Sequence, residues 1–199
     1  LRVLEKTGDI KEIAKVYTSL GIDLWVVGRT EESLEMHEKA IELANSAGDL
    51  TTIGYAISNA AATYLALGNQ EKTEDLLDRA VPIFGKLNDR IMVATMHLYK
   101  GYLHNLKKEW EWAKEQFKQS LEILRGIDAP MKLCNWIFEI SQVYVENGEH
   151  LEARGMLNEA LELAVRCDNE NLRREIEVAL SRLMDLKKSA VADAPTQAS

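Results

Sequence analysis

The chain has 199 residues, 46% of them hydrophobic, and a formal net charge of −8, enough apolar material for a continuous core and too little basic charge for a nucleic-acid surface, which needs clustered Lys and Arg. No apolar run approaches the roughly 18 residues of a membrane-spanning helix, and the opening LRVLEKTGD lacks a signal-peptide layout. Two cysteines make no disulfide framework, which points to a reducing cytoplasm, and three prolines with few β-branched runs favour helix throughout.

Residues 1–8 read as the end of a helix, with Gly8–Asp9 as a stop followed by an N-cap. The same pair returns as Gly48–Asp49, and Asp89 and Asn169 hold the capping place later. A chain that opens on half a unit, and on Leu, is expected to be a piece of a longer protein. Apolar periodicity then predicts helices over 10–27 and 30–47, with Glu31 and Glu32 suited to a first turn. A second pair is expected within 50–87, where Pro82 falls inside the second helix and should bend it at a cost of ~3 kcal/mol. A third pair spans 89–125. Gly126 to Pro130 breaks the chain, with Pro130 suited to the next first turn. A fourth pair covers 131–167. Residues 170–188 form one more amphipathic helix, apolar through Leu172, Ile176, Leu180, Leu183 and Leu186, and charged on its other side through Arg173, Arg174, Glu175, Glu177, Arg182 and Lys187. It suits a cap on the exposed end of a stack, or the first helix of a truncated fifth unit. Residues 190–199 are small and polar and read as a flexible tail.

These pairs repeat every 40 residues. Gly28, Gly68 and Gly148 stand between the two helices of a pair, with Lys108 in the third unit. Seven residues before them come Gly21, Ala61, Gly101 and Ser141; twelve after come Ala40, Ala80, Ser120 and Ala160. Small residues let two helices approach closely, and Gly tolerates a left-handed turn. A fixed period of this size means stacked units. On Ala61, Tyr64, Gly68, Thr73, Leu77 and Ala80, and on Ser141, Tyr144, Gly148, Ala153, Leu157 and Ala160, the sequence resembles the tetratricopeptide repeat (TPR) family. The first unit adds Leu20, Gly21, Gly28, Ser33 and Ala40, and the third Gly101, Trp110, Ala113, Phe117 and Ser120. Lys108 departs from the turn Gly, and Leu24 and His104 from the aromatic of the first helix. The period exceeds the usual repeat of about 34 residues, as in regulatory TPR arrays of large ATPase regulators and motor adaptors.

The resemblance implies an all-α, right-handed α-solenoid of antiparallel helix pairs, here called helix A and helix B. The expected layout is a single solenoid over 1–189: a partial helix B at 1–8, repeats at 9–48, 49–88, 89–128 and 129–168, and a capping helix at 169–189. It also implies that the A helices line a concave groove. Carried onto this sequence, the lining is Lys15, Thr18, Ile22 and Trp25; Tyr55, Ser58 and Leu65; Leu98, Tyr102 and Asn105; and Asn135, Phe138 and Gln142. Aromatic groups on all four A helices suit a protein or peptide partner, amphipathic or basic, in helical or extended form. The positions at which chaperone-docking relatives clamp a carboxylate hold Thr18, Ile22, Asn59, Thr95 and Tyr99, of which only Asn59 matches, so that role is not expected.

No nucleotide-binding fingerprint, catalytic constellation, cofactor motif or metal-ligand spacing is present. His97 and His104 lack a carboxylate at the needed offset, His37 reads as a packing residue, and His150 as solvent-facing in a turn. Cys134 and Cys167 end up at the same end of the fourth pair, as free thiols or a reversible staple. Trp110 should pack over its turn and Trp112 lie on the surface. The expected function is non-catalytic partner binding. The alternative is a sensor or self-associating array within a signalling ATPase or transcription regulator.

Overall fold

A computed structural model describes residues 9–192, with side chains to Asp185. Among them are nine α-helices and no strand: α1 Ile10–Val26, α2 Thr30–Ala47, α3 Leu50–Ala66, α4 Gln70–Lys86, α5 Arg90–Leu106, α6 Trp110–Arg125, α7 Pro130–Glu146, α8 His150–Arg166 and α9 Glu170–Ala192. The expected all-α, TPR-like architecture holds. The reading of 1–8 as a helix end lies outside the described residues. The last helix runs to Ala192, past the boundary expected at 189, and residues 193–199 of the expected tail also lie outside them.

The connections obey a finer period than the 40-residue repeat. Left-handed residues sit at Gly28, Gly48, Gly68, Asn88, Lys108, Gly148 and Asp168. At each, the next residue's amide donates to the carbonyl five positions back, as from Asp49 to Ala44 (2.9 Å), Asn69 to Tyr64 (2.9 Å) and Glu109 to His104 (2.9 Å). This bond satisfies an orphan carbonyl of the ending helix and turns the chain sharply. The residue that donates it also starts the next helix. The side chains of Asp9, Asp49, Asn69, Asp89 and Asn169 each accept from the amide three residues on. Arg29 occupies the same place before α2 without a side-chain cap, and Thr30 is the first helical residue. The connection at 126–129 departs: Ile127 donates to Leu124 and Ala129 to Ile127, and Pro130 opens α7 at its first position. Pro82 leaves α4 helical to Lys86 and lies exposed, away from the core.

Packing divides the chain into two compact units, one ending at Ile123 and one starting at Leu124. In the first, α1 packs on α2 and α3 on α4, α5 meets α6 through Tyr102 and Phe117, and α1 also touches α3, and α3 touches α5. Among the described residues no such contact joins α2 to α4, so the A helices form the tighter layer of this unit. In the second unit α7 packs on α8, α8 on α9, and α9 on α7.

The A and B helices of a pair interlock by size. A Cβ placed on Gly21 would lie 2.4 Å from His37 Cε1, and one on Gly101 would lie 2.4 Å from Phe117 Cδ1 and Cε1. The same two register positions hold Ala61 with Leu77, and Ser141 with Leu157, all four fully buried. A ring on helix B therefore meets Gly on helix A, and a smaller Leu meets Ala or Ser. His37 is fully buried, as expected of a packing residue, and burial pushes its pKa down to about 4. Its Nδ1, with Ser33 Oγ and Ser120 Oγ, has no hydrogen-bond partner.

Candidate binding surfaces

The A-helix stripe read as a groove splits into columns 40 residues apart, and the columns differ. One column, Thr18, Ser58 and Leu98, is buried, and its fourth member Phe138 is half-buried. This corrects the expectation for Thr18, Ser58 and Leu98, which face the core. The reason is angular. Positions 14, 18 and 21 fall at i, i+4 and i+7, one stripe of a helix, and both outer columns are closed against neighbouring helices. Thr18 turns its hydroxyl onto the carbonyl of Ala14 (3.1 Å).

The remaining columns stay open to different degrees. On α1, Ile22 is 43% exposed and Trp25 46%, and Lys15 is exposed in an ion pair with Glu12 (2.6 Å). On α3, Tyr55 is 38% exposed and Leu65 half-buried. Tyr55 is fixed twice over: its ring meets Phe84 edge-on at 5.6 Å, and its hydroxyl donates to Asp89 Oδ2 (3.0 Å). Burial, and then the Asp89 carboxylate, hold its phenol pKa above the ordinary value. On α5, Tyr102 and Asn105 are half-buried, with Tyr102 edge-on to Phe117 at 5.3 Å. The first unit thus presents Ile22, Trp25 and Tyr55 outward from neighbouring A helices, while Tyr102 offers only part of its ring.

In the second unit Asn135 is exposed, and Phe138 and Gln142 are half-buried. These two line a cleft of about 530 Å³ with Val145 of α7, Leu157 of α8, and a row on α9 that includes Arg174, Val178, Arg182 and Leu183. The α9 side chains were missed in the sequence, where that helix reads as a cap with a solvated charged side. The available signal was the spacing of Arg174, Val178 and Arg182 at i, i+4 and i+8.

Trp112 is the most open aromatic, 65% exposed and stacked on His104 at 6.3 Å. His104 Nδ1 in turn lies 2.6 Å from Glu109 Oε2. Trp110 is half-buried under Lys114, whose Nζ sits 5.7 Å from the ring centre. His97 Nδ1 bonds Gln116 (2.9 Å), and His150 is exposed as the first residue of α8 rather than in a turn. Cys134 is buried, with its thiol donating to the carbonyl of Ala160 (3.1 Å), and Cys167 is half-buried; both are free thiols. Burial, with Cys167 nearby, raises the Cys134 pKa to about 11. Among the described residues no group of three His, Cys, Asp or Glu is placed to hold a metal, and no helix is long and apolar enough to cross a membrane.

Residues 12–86 match the family described as tetratricopeptide repeat. No curated protein matches. Among solved structures, a Rap protein complexed with competence and sporulation factor superposes with a TM-score of 0.80 at 15% identity, over 94% of this chain and 55% of that one. A kinesin light chain-related protein with nearly identical TPR-like repeats from Podosopora anserina gives 0.72 at 16%, over 92% and 90%. A signal-transduction ATPase with a tetratricopeptide repeat sensor from Pyrococcus horikoshii gives 0.66 at 22%, over 87% and 29%. The chain thus spans about half of the Rap protein and less than a third of the ATPase. At these identities the likeness is one of fold. The chain has the tetratricopeptide-repeat fold, with residues 12–86 matching the family itself.

Proposed function

We propose that this chain is a non-catalytic protein-interaction module that receives a partner segment on its A-helix faces, in the cytoplasm. The observation that carries the proposal is the outward display of Ile22, Trp25 and Tyr55 from neighbouring A helices, at 38–46% exposure. Large apolar groups left open together on a rigid layer are the usual basis of a protein interface. Tyr55 is held by two contacts in the free chain, so it loses little freedom when a partner closes over it. The revised lining in the first unit is Lys15, Ile22, Trp25, Tyr55 and Leu65, with Tyr102 and Asn105 at their half-open edges. Asn135, Phe138 and Gln142 serve the second unit. An array that senses a ligand or self-associates within a signalling ATPase is the alternative; the fold it shares with such a sensor is compatible with it.

The test is capture of partners by the full chain against a variant carrying Ile22→Ala and Trp25→Ala, with circular dichroism to confirm folding. Both positions are exposed, so the fold should be kept. Loss of specific partners is expected. Equal capture by the variant would place binding elsewhere, and a stable dimer whose interface hides Trp25 would favour the alternative.

A further inference from the structure

The cleft between α7 and α9 has a chemical character that the rest of the chain does not predict. Its walls are apolar: Phe138 and Val145 from α7, and Val178 and Leu183 from α9. Val178 is 49% exposed although it sits midway between two arginines. Arg174, Val178 and Arg182 are spaced by four, which places all three on one stripe of α9, with the guanidinium-bearing residues about 12 Å apart along the axis. Among the described residues neither Arg174 nor Arg182 has an ion-pair partner, whereas Arg173, on the next stripe, pairs with Glu170 (2.8 Å) and Glu177 (3.1 Å). Glu175 also lines the cleft, so its rim carries two cations against one anion in a chain of net charge −8.

We propose that this cleft receives an acidic amphipathic helix of a partner protein, with two carboxylates about two turns apart engaging Arg174 and Arg182 and an apolar residue between them covering Val178. The inference deepens the interaction-module reading and names its partner chemistry. A helix carrying acidic groups two turns apart repeats the separation of about 12 Å along its own axis. Arginine is suited to the role, since its planar fork takes a carboxylate through two bonds at once. Laying an apolar stripe into a trough between two helices is an established mode of helix recognition.

The experiment uses two labelled peptides of about 16 residues, roughly 24 Å as helices, that share one apolar stripe and carry either Glu or Lys on its borders. Anisotropy with the full chain reads affinity. Bulk electrostatics of a chain at −8 would favour the Lys peptide, so preference for the Glu peptide requires a local site. The expected result is at least about tenfold tighter binding of the Glu peptide, weakened by salt, with the preference reversed in the Arg174→Glu, Arg182→Glu protein. Val178→Asp should weaken both peptides. All three positions are exposed, so the variants should fold. No measurable binding, equal binding, a preference for the Lys peptide, or an unchanged preference in the reversed protein would each overturn the inference. Loss of partner capture on Ile22→Ala with Trp25→Ala would leave the broader reading standing in any of those cases.

Discussion

Gly101→Ala sets two opposing effects against each other. In an exposed helix the change would stabilise by about 1 kcal/mol, because Ala loses less backbone entropy. Here the new methyl would fall 2.4 Å from two carbons of the Phe117 ring and 3.1 Å from a third. That ring is 1% exposed and held edge-on by Tyr102, so it has nowhere to turn. Overpacking of this kind costs about 1–3 kcal/mol, and a contact with a rigid ring belongs at the upper end. The net expectation is a loss of about 1–2 kcal/mol. Phe117→Leu alone should lose about 1–2 kcal/mol through the space it vacates. The pair Gly101→Ala with Phe117→Leu recreates what Ala61 and Leu77 do in the second repeat, and should be clearly more stable than the sum of the singles. Urea denaturation of the four proteins gives the coupling, expected at about 1–2 kcal/mol. Additive losses, or an Ala variant more stable than the parent, would refute the size-matching argument.

His37 is neutral when buried, so its contribution is whole above its unfolded pKa near 6.5 and is lost as pH falls from there toward about 4. At about pH 5 the loss should be roughly 2 kcal/mol relative to neutral pH, and His37→Leu should flatten that part of a stability–pH curve. Lys108 holds a left-handed turn without the freedom of glycine, at φ 63°, so Lys108→Gly should raise urea stability by about 1 kcal/mol, whereas Gly68→Ala should lower it by a similar amount. Cys134, buried and with its pKa raised to about 11, should alkylate at neutral pH about two orders of magnitude more slowly than an unstructured thiol, and Cys167 should be labelled first by mass spectrometry.

Most of the fold was legible because a repeat states the same instruction several times. Any one of Gly28, Gly68 or Gly148 is weak evidence for a turn, but three at one interval, each between amphipathic segments, leave few alternatives. The 20-residue spacing of left-handed turns was harder to see, since Asn88, Lys108 and Asp168 carry no glycine signal. There the backbone conformation follows from the carbonyl-satisfying bond and the packing of both flanking helices, not from the residue's own preference. The size rule between Gly101 and Phe117 was half visible: the small column stood out, while its partner column of His37, Leu77, Phe117 and Leu157 varies too much in chemistry to read as one position.

The open side of the A helices was less legible for a geometric reason. An A helix in a stack has apolar residues on the flank against its own B helix, on the flanks against neighbouring A helices, and on the open side. Adjacent flanks differ by less than one residue's rotation of about 100°. Ser58 and Tyr55 are three positions apart in one helix, yet the first is 2% exposed and the second 38%. Side-chain chemistry misleads at this point, because polar Ser58 packs in the core while apolar Ile22 stands open. A column becomes assignable only when all its members are compared. Thr18, Ser58, Leu98 and Phe138 are chemically unlike, yet they lie on the same stripe as the small residues at 14, 54, 94 and 21, 61, 101, which exist to let helices touch. A position between two such contact columns is closed only where helices pack over both columns: Phe138 and Val178 hold the same register as Thr18, Ser58 and Leu98, yet both stay partly open because they line the cleft between α7 and α9.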